Sequence, residues 1–469
     1  MPEENAPGHP LAPEFVSALG ASNVLQEEVA LAPYRADKSP YPEIEPGIVV
    51  RPGSVDEICK VLQLANSRRQ PVIVRGGGFS MTGFLQAAPH QAIVLDTRRL
   101  NRVLEIDEVN MTVTAEAGVI MSDLDAAVAA RGFEVKTVGV PIQYTTLGGV
   151  LSGVVGGGLP RDSTDGLTGR QLVGLKVVLA DGSVLQTNAG GANVNRSASA
   201  IPGGDGPFLT GLFVGDGGSL GVKVEATLQI APEAPHEAAG YWIFDDFDSL
   251  WRALGLLAAI REVPHAGIGV AEGPPWSMSF NARASTPELL ALQVRRIESV
   301  LEVCGARRGE SDASGVPSRE WFVSVDRAVV SFIVGRAQFV EAHKRVRTLL
   351  EERIRERRLS DLGVDLKIYV YPQTRHAMFT SISVLFDKSV PGSRESAVTL
   401  AIEAYELVVS LGGYLEPQQG VASQIIGRAW SPTYRRVFLA IKSAVDPNMI
   451  LNPGVWALEE RLAQSAPPR

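Results

Sequence analysis

Two rhythms of apolar residues divide the chain. Up to about Pro235 they come in short β-branched runs broken by glycine; beyond it they recur mostly at helical spacing. The runs Ile48–Arg51, Pro71–Val74, Ala92–Asp96, Arg102–Ile106 and Met111–Ala115 predict strands, the last two paired through a turn at Asp107–Asn110. Leu172–Ala180 and Val184–Thr187 bracket Asp181-Gly182, a hairpin signal, and Lys223–Ile230 alternates as an antiparallel strand does. Short helices are expected at Leu11–Leu19 and Ser22–Val29. Ser54-Val-Asp-Glu57 is a capping box, so a helix starts there with Val55, Ile58, Cys59, Leu62 and Ala65 as its apolar stripe. A further helix after Gly118 is capped by Ser122 and ends near Gly132.

In the second half, Thr286 with Pro287 behind it starts a helix that ends near Cys304. Phe339–Arg358 and Ser393–Leu411 read as two more long helices, with strands at Leu366–Val370 and Phe379–Phe386. Residues 236–411 therefore form a separate α+β unit. From Gly412 the chain is again marked by glycine and proline and runs to Asn452-Pro453-Gly454. The expected division is 1–235, 236–411 and 412–469.

Length and composition narrow the function. The 469 residues call for two or three domains. The formal net charge of −8 argues against general nucleic-acid binding or binding to an anionic membrane. Cys59 and Cys304 stand outside any CxxC or Cys/His cluster, so neither a disulfide framework nor structural zinc is expected. No apolar run is long enough to span a bilayer, and MPEENAPGHPLAPEF lacks the basic and apolar regions of a secretory signal. A cytoplasmic enzyme with a small-molecule substrate is the expectation; a homodimer is left open.

Three glycine concentrations need a common explanation. The first, Arg75–Gly83 (RGGGFSMTG), follows a predicted buried strand. A glycine triplet can turn several backbone N–H groups toward one anion, with Arg75, Ser80 and Thr82 as further donors; a plain tight turn explains the triplet alone equally well. The second spans Pro141–Gly158 and the third Gly203–Gly221. The first loop does not open a helix as a G-x-G-x-x-G dinucleotide fingerprint must, and no Gly-Lys-Ser/Thr exists for a P-loop.

RGGGFSMTG, TLGGVLSGVVGGG, GDGGSLGVKVEATLQI and DPNMILNPG, in that order, resemble the FAD-linked oxidoreductases of the vanillyl-alcohol oxidase/p-cresol methylhydroxylase family. The resemblance implies an α+β fold: a two-part FAD-binding domain of the p-cresol methylhydroxylase (PCMH) type interrupted by a cap domain. It implies that Arg75, Gly76, Gly77, Gly78, Phe79, Ser80, Met81 and Gly83 form the pyrophosphate loop. Pro141, Leu147, Gly148, Gly149, Ser152 and Gly153 would form a second stretch along the cofactor. Gly218, Gly221 and Val222 would hold the adenine end or pass beneath the dinucleotide, and Asn452 would close the site near the flavin ring. Some members tether FAD through a histidine where this chain has Phe79, and through a cysteine in the second loop, which this chain lacks. FAD is therefore expected to be bound non-covalently. Phenol-oxidising members carry a Tyr-Arg pair where this chain has Pro417-Gln418, which argues against a phenol. Hydroxy-acid dehydrogenase relatives often carry a cap histidine cluster for a metal; only His376 lies near that place, so no metal is expected.

FAD accepts a hydride, and the protein must place the carbon that gives it and take a proton. The candidates are Tyr371, Arg375 and His376 on a cap strand, and Glu416 and Gln418 in the returning segment. Arg375 suits a substrate carboxylate and His376 a base near neutral pH; a surface ion pair and a structural histidine are the plain alternatives. Tyr144, beside the second loop, is within range of the flavin or simply a packed ring. The expected activity is FAD-dependent oxidation of a small alcohol, hydroxy acid or related CH–X group. A non-redox lyase or transferase of the same fold, and an electron-transfer subunit, are the alternatives.

Overall fold

The computed structural model describes residues 9–84, 89, 91–135, 142–153, 171–187, 207–260, 269–271, 276–309, 325–372, 376–416 and 420–458. The first sheet holds β1 (Ile48–Val50), β2 (Val72–Arg75) and β3 (Ile93–Asp96), in the order β1–β3–β2 with all pairs parallel. Every residue of β1 and β3 is buried, as parallel strands covered on both faces should be. Between β1 and β2, α1 (Val55–Ser67) begins where the capping box puts it. Ser54 Oγ accepts from the Glu57 N–H at 3.2 Å and Glu57 Oε2 accepts from the Gly53 N–H at 2.6 Å. Ile58, Val61, Leu62 and Ala65 bury its inner face, and Cys59 packs at the edge of the same cluster.

Two expectations for this half change. Ser22–Val29 is not one helix: a 3-10 turn at Ala21–Asn23 leads into Val24–Leu25, which pairs antiparallel with β1, and a short helix follows at Glu28–Leu31. The open backbone edge of β1 takes Val24–Leu25 as its partner, and a β-branched residue suits that place. Ser122 is not a cap. The helix is Met121–Ala129 with Ile120 at its N-cap position and no side-chain cap bond; Ser122 sits in the first turn and its N–H donates to Ile142 O at 3.0 Å.

The second sheet is antiparallel. The hairpin Val103–Asp107 and Thr112–Glu116 turns on Asp107, whose Oδ1 accepts from the N–H groups of Val109 and Asn110. It is followed across the sheet by β5 (Val222–Pro232), then β4 (Leu172–Val178) and Val184–Gln186. A short helix, α2 (Leu147–Gly153), rests on this sheet through Leu147, Val150 and Leu151.

The third sheet has eight strands and belongs to the cap, with one strand from the returning segment. Its central part is β7 (Asp365–Pro372), β8 (Ala377–Leu385), β6 (Arg327–Gly335) and β9 (Tyr414–Leu415), hydrogen-bonded in that order and all antiparallel. Alternation sends successive side chains to opposite faces. Ala328, Val330, Phe332 and Val334 of β6 and Met378, Ile382 and Val384 of β8 join one core with α3 (Arg336–Glu356) and α4 (Ser393–Ser410). The other face of these strands mixes Arg327, Ser331, Ser381 and Ser383 with Val329, Ile333 and Phe379, and Arg327 reaches Met81 of the first glycine loop. α5 (Gly420–Ala429) and α6 (Pro432–Val445) then carry the chain back to the first two sheets. Among the described residues no helix is long and apolar enough to cross a membrane.

Candidate active site

The first glycine loop leaves β2 at Arg75 and presents half-exposed residues from Gly76 to Met81. Among the described residues, no backbone N–H from Gly76 to Thr82 donates to a protein acceptor. Unsatisfied N–H groups in succession form a cradle for an anion, so the loop fits a dinucleotide pyrophosphate. Its glycines are required by close approach: a Cβ on Gly76 would lie 2.2 Å from Thr146 Oγ1, and one on Gly77 1.9 Å from Tyr144 O. The first and second loops are thus in backbone contact. Phe79 stacks on Tyr144 with ring centroids 5.5 Å apart. Ser80 Oγ accepts from the Phe84 N–H at 3.3 Å and closes the turn.

Arg75 does not reach into the cradle. Its guanidinium donates to Ala36 O and Pro33 O, both at 3.0 Å, and lies over the Tyr34 ring. It braces the loop from behind, against the N-terminal segment.

In the second loop, Gly148, Gly149 and Ser152 form the open side of α2, while Leu147 and Gly153 are buried. Ser152 Oγ donates back to Gly148 O at 2.8 Å. Pro141 lies outside the described residues.

The third loop supports the others. Gly215 and Gly217 donate to Leu151 O and Ser152 O at 2.9 and 3.0 Å. Asp216 gathers the N–H groups of Gly218 and Leu220 and the Lys223 ammonium at 2.7 Å. Gly218, Gly221 and Val222 are all buried in this packing. Asn452 is also buried and spent on backbone: Oδ1 accepts from the Val74 N–H at 3.0 Å, and Nδ2 donates to Gly217 O at 2.7 Å. It fastens β2 to the third loop. Lys442, fully buried, donates to Ser219 O, Asp446 Oδ2 and Leu451 O at 2.6, 2.5 and 2.9 Å.

The cap sheet meets the first loop through Arg327, on the face that also carries a row of polar residues. Tyr369, Ser381 and Ser331 are cross-strand neighbours on β7, β8 and β6, and the Glu416 N–H donates to Ser331 O at 2.9 Å, which extends the row past β9. Ser331 Oγ donates to Ser381 Oγ at 2.9 Å. Arg327, from the start of β6, is 6% exposed and reaches Met81 Sδ of the first loop at 4.0 Å. Burial pulls its pKa down to about 10, offset by the nearby Tyr369, so it remains a cation at neutral pH. Burial pushes the Tyr369 phenol up to about 12, against the pull of Arg327.

The predicted cap residues divide. Glu416 is in the row, 2% exposed. His376 is exposed at the head of β8, with its carbonyl accepting from the Arg336 N–H at 3.0 Å, and it is not part of the polar row. Arg375 and Gln418 lie outside the described residues, as does the side chain of Tyr371. Sequence reasoning missed Arg327, Tyr369, Ser331 and Ser381. The signal was parity: Ser381 and Ser383 at alternate places in the apolar run of β8, and Ser331 alone within that of β6. Among the described residues no group of three His, Cys, Asp or Glu side chains could hold a metal ion.

An N–H cradle beside the row of polar cap residues fits a dinucleotide-binding site. The family model described as "FAD binding domain" matches residues 46–188, and that described as "FAD linked oxidases, C-terminal domain" matches residues 332–455. The chain belongs to the FAD-linked oxidoreductases with a PCMH-type FAD-binding domain. It is 29% identical over 252 residues to the glycolate oxidase subunit GlcD of Bacillus subtilis, covering 54% of this chain and 51% of that one. It is 32% identical over 206 residues to D-lactate dehydrogenase of Archaeoglobus fulgidus, covering 43% of each. These matches thus span about half of each relative or less. The fold superposes on p-cresol methylhydroxylase with a TM-score of 0.80 over 95% of this chain and 96% of that chain, at 18% identity.

Proposed function

We propose that the chain oxidises a small 2-hydroxy acid to the 2-oxo acid, with FAD held by the first two glycine loops and without a covalent link. FAD, when bound, supplies the two-electron acceptor. The observation that carries the reading is Arg327: a guanidinium brought to the first loop at Met81 by the start of β6, inside a mostly buried face beside Tyr369. A guanidinium there matches a carboxylate in charge and shape. The similarity to a glycolate oxidase subunit and a D-lactate dehydrogenase points to the same substrate class. Phe79 supports non-covalent binding, since a phenyl ring offers no nucleophile.

The protein's work is then to bind, orient and exclude water. Arg327 and Tyr369 hold the carboxylate end, and the serine row faces the hydroxyl. Anaerobic addition of glycolate, lactate and longer 2-hydroxy acids should bleach the flavin, whereas the matching alcohols without a carboxylate should not. Arg327→Met should raise KM by about 100-fold or more, the loss of a charge-assisted hydrogen-bond pair in a buried site. Absence of bleaching by every hydroxy acid would overturn the reading and favour a non-redox use of the same fold.

A further inference from the structure

An oxidation of this kind releases a proton from the substrate hydroxyl as the Cα–H electron pair departs with the hydride. A group must take that proton, and the exposed His376 is not in the row to do so. The polar row offers another acceptor. Tyr369, Ser381 and Ser331 sit directly opposite one another on adjacent strands, and Glu416 follows Tyr414 and Leu415 in register with β6. Directly opposed residues on one face of an antiparallel pair have Cβ atoms about 4.5–5.5 Å apart. The two serine hydroxyls are already bonded at 2.9 Å. A hydroxyl carries one donor and two acceptor sites and can turn between partners. Glu416 is a carboxylate buried to 2% at the inner end of this row.

We propose that Glu416 is the terminal proton acceptor of the reaction, reached from the substrate hydroxyl through Ser381 Oγ and Ser331 Oγ. The inference rests on the hydroxy-acid reading above. The balance is complete. With FAD bound as the two-electron acceptor, the Cα–H bond would break with its pair leaving as hydride. The hydroxyl O–H breaks and its pair forms the C=O bond. That proton goes to Ser381, Ser381 gives its own to Ser331, and Ser331 gives its own to the Glu416 carboxylate. The group that bears on Glu416 is Tyr414 on its own strand, whose phenol is raised by burial and then by the Glu416 charge.

The test uses the full chain loaded with FAD, and the same chain without it. Glu416→Gln should slow flavin reduction by about 100-fold or more, the usual size of a lost general base, with KM and FAD affinity within threefold of the parent. Ser331→Ala should slow it at least tenfold and Ser331→Thr, which keeps the hydroxyl, should restore it. A solvent isotope effect on flavin reduction should be present in the parent and lost in Glu416→Gln. Independently of turnover, infrared titration of the FAD-free protein should show a buried carboxyl band that disappears in Glu416→Gln and shifts in Ser331→Ala. Flavin reduction in Glu416→Gln within threefold of the parent overturns the proposal. So does a Ser331→Ala variant with unchanged rate and unchanged infrared band. If no hydroxy acid reduces the flavin at all, the substrate reading fails, and the infrared shift alone then decides whether Ser331 and Glu416 are coupled.

Discussion

Replacing Lys442 by methionine tests how the third glycine loop is held. The ammonium is fully buried and its three donors meet three acceptors, on Ser219, Asp446 and Leu451. Burial lowers its pKa, opposed by Asp446 and then Asp216. Methionine fills nearly the same volume, so the change removes the charge and its bonds with little cavity. It leaves the Asp446 carboxylate buried, still accepting from the N–H groups of Ile450 and Leu451, and strips two carbonyls of their donor. Breaking one side of a buried ion pair costs about 3–5 kcal/mol, a large share of an ordinary domain's stability. Hydrogen exchange at Gly215–Gly221 and denaturant unfolding followed by fluorescence should both report that loss. Adding Asp446→Asn should recover part of it, because the stranded charge is gone. A single variant that loses less than about 1 kcal/mol, or a double variant no better than the single, would refute the claim that this clasp holds the loop.

Other outcomes follow from the same geometry. Gly77→Ala would drive a Cβ into Tyr144 O, so the loops must part; FAD affinity by fluorescence quenching should fall at least tenfold. Acid precipitation of the holoprotein should leave a colourless pellet and a yellow supernatant, since Phe79 cannot bond to the flavin. For Asp96, burial pushes the pKa up, but bonds from Arg98 and Tyr34 together outweigh it and the net shift is downward. Its stabilising contribution is therefore fully present above about pH 4 and is lost as pH falls through the lower folded value. Asp96→Asn should accordingly destabilise at pH 7 and matter less in strong acid. Substrate KM should stay flat through neutral pH, because Arg327, although lowered by burial, keeps its charge there.

Much of the FAD half was legible in the sequence because its signals are local. The Ser54–Glu57 capping box, the β-branched runs of β1 and β3 and the turn on Asp107 each act within a few residues. So did the Thr286-Pro287 helix start, where Thr286 Oγ1 accepts from the Leu289 N–H. Ser22–Val29 failed because a distant partner, the open edge of β1, outweighed local propensity. The cap site was harder for the same reason. Arg327 opens an apolar run and looks in isolation like a surface cation at a strand end. Only the pairing of β6 with β8 and β7, over separations of tens of residues, shows that it shares a face with Ser331, Ser381 and Tyr369. His376, whose chemistry suits a base, stands just before β8, outside the row.

Asn452 joins β2 to the third loop across 378 residues of sequence, the separation between it and Val74. That span has a consequence for biosynthesis. The cradle of the first loop rests on a strand whose outer edge is closed by residues 450–452, translated only after the whole cap. A nascent chain that has emerged as far as the cap cannot yet have a finished cofactor site. The cap, whose contacts are closer in sequence, is free to fold first, and cofactor capture should be a late event that waits for the returning segment to dock.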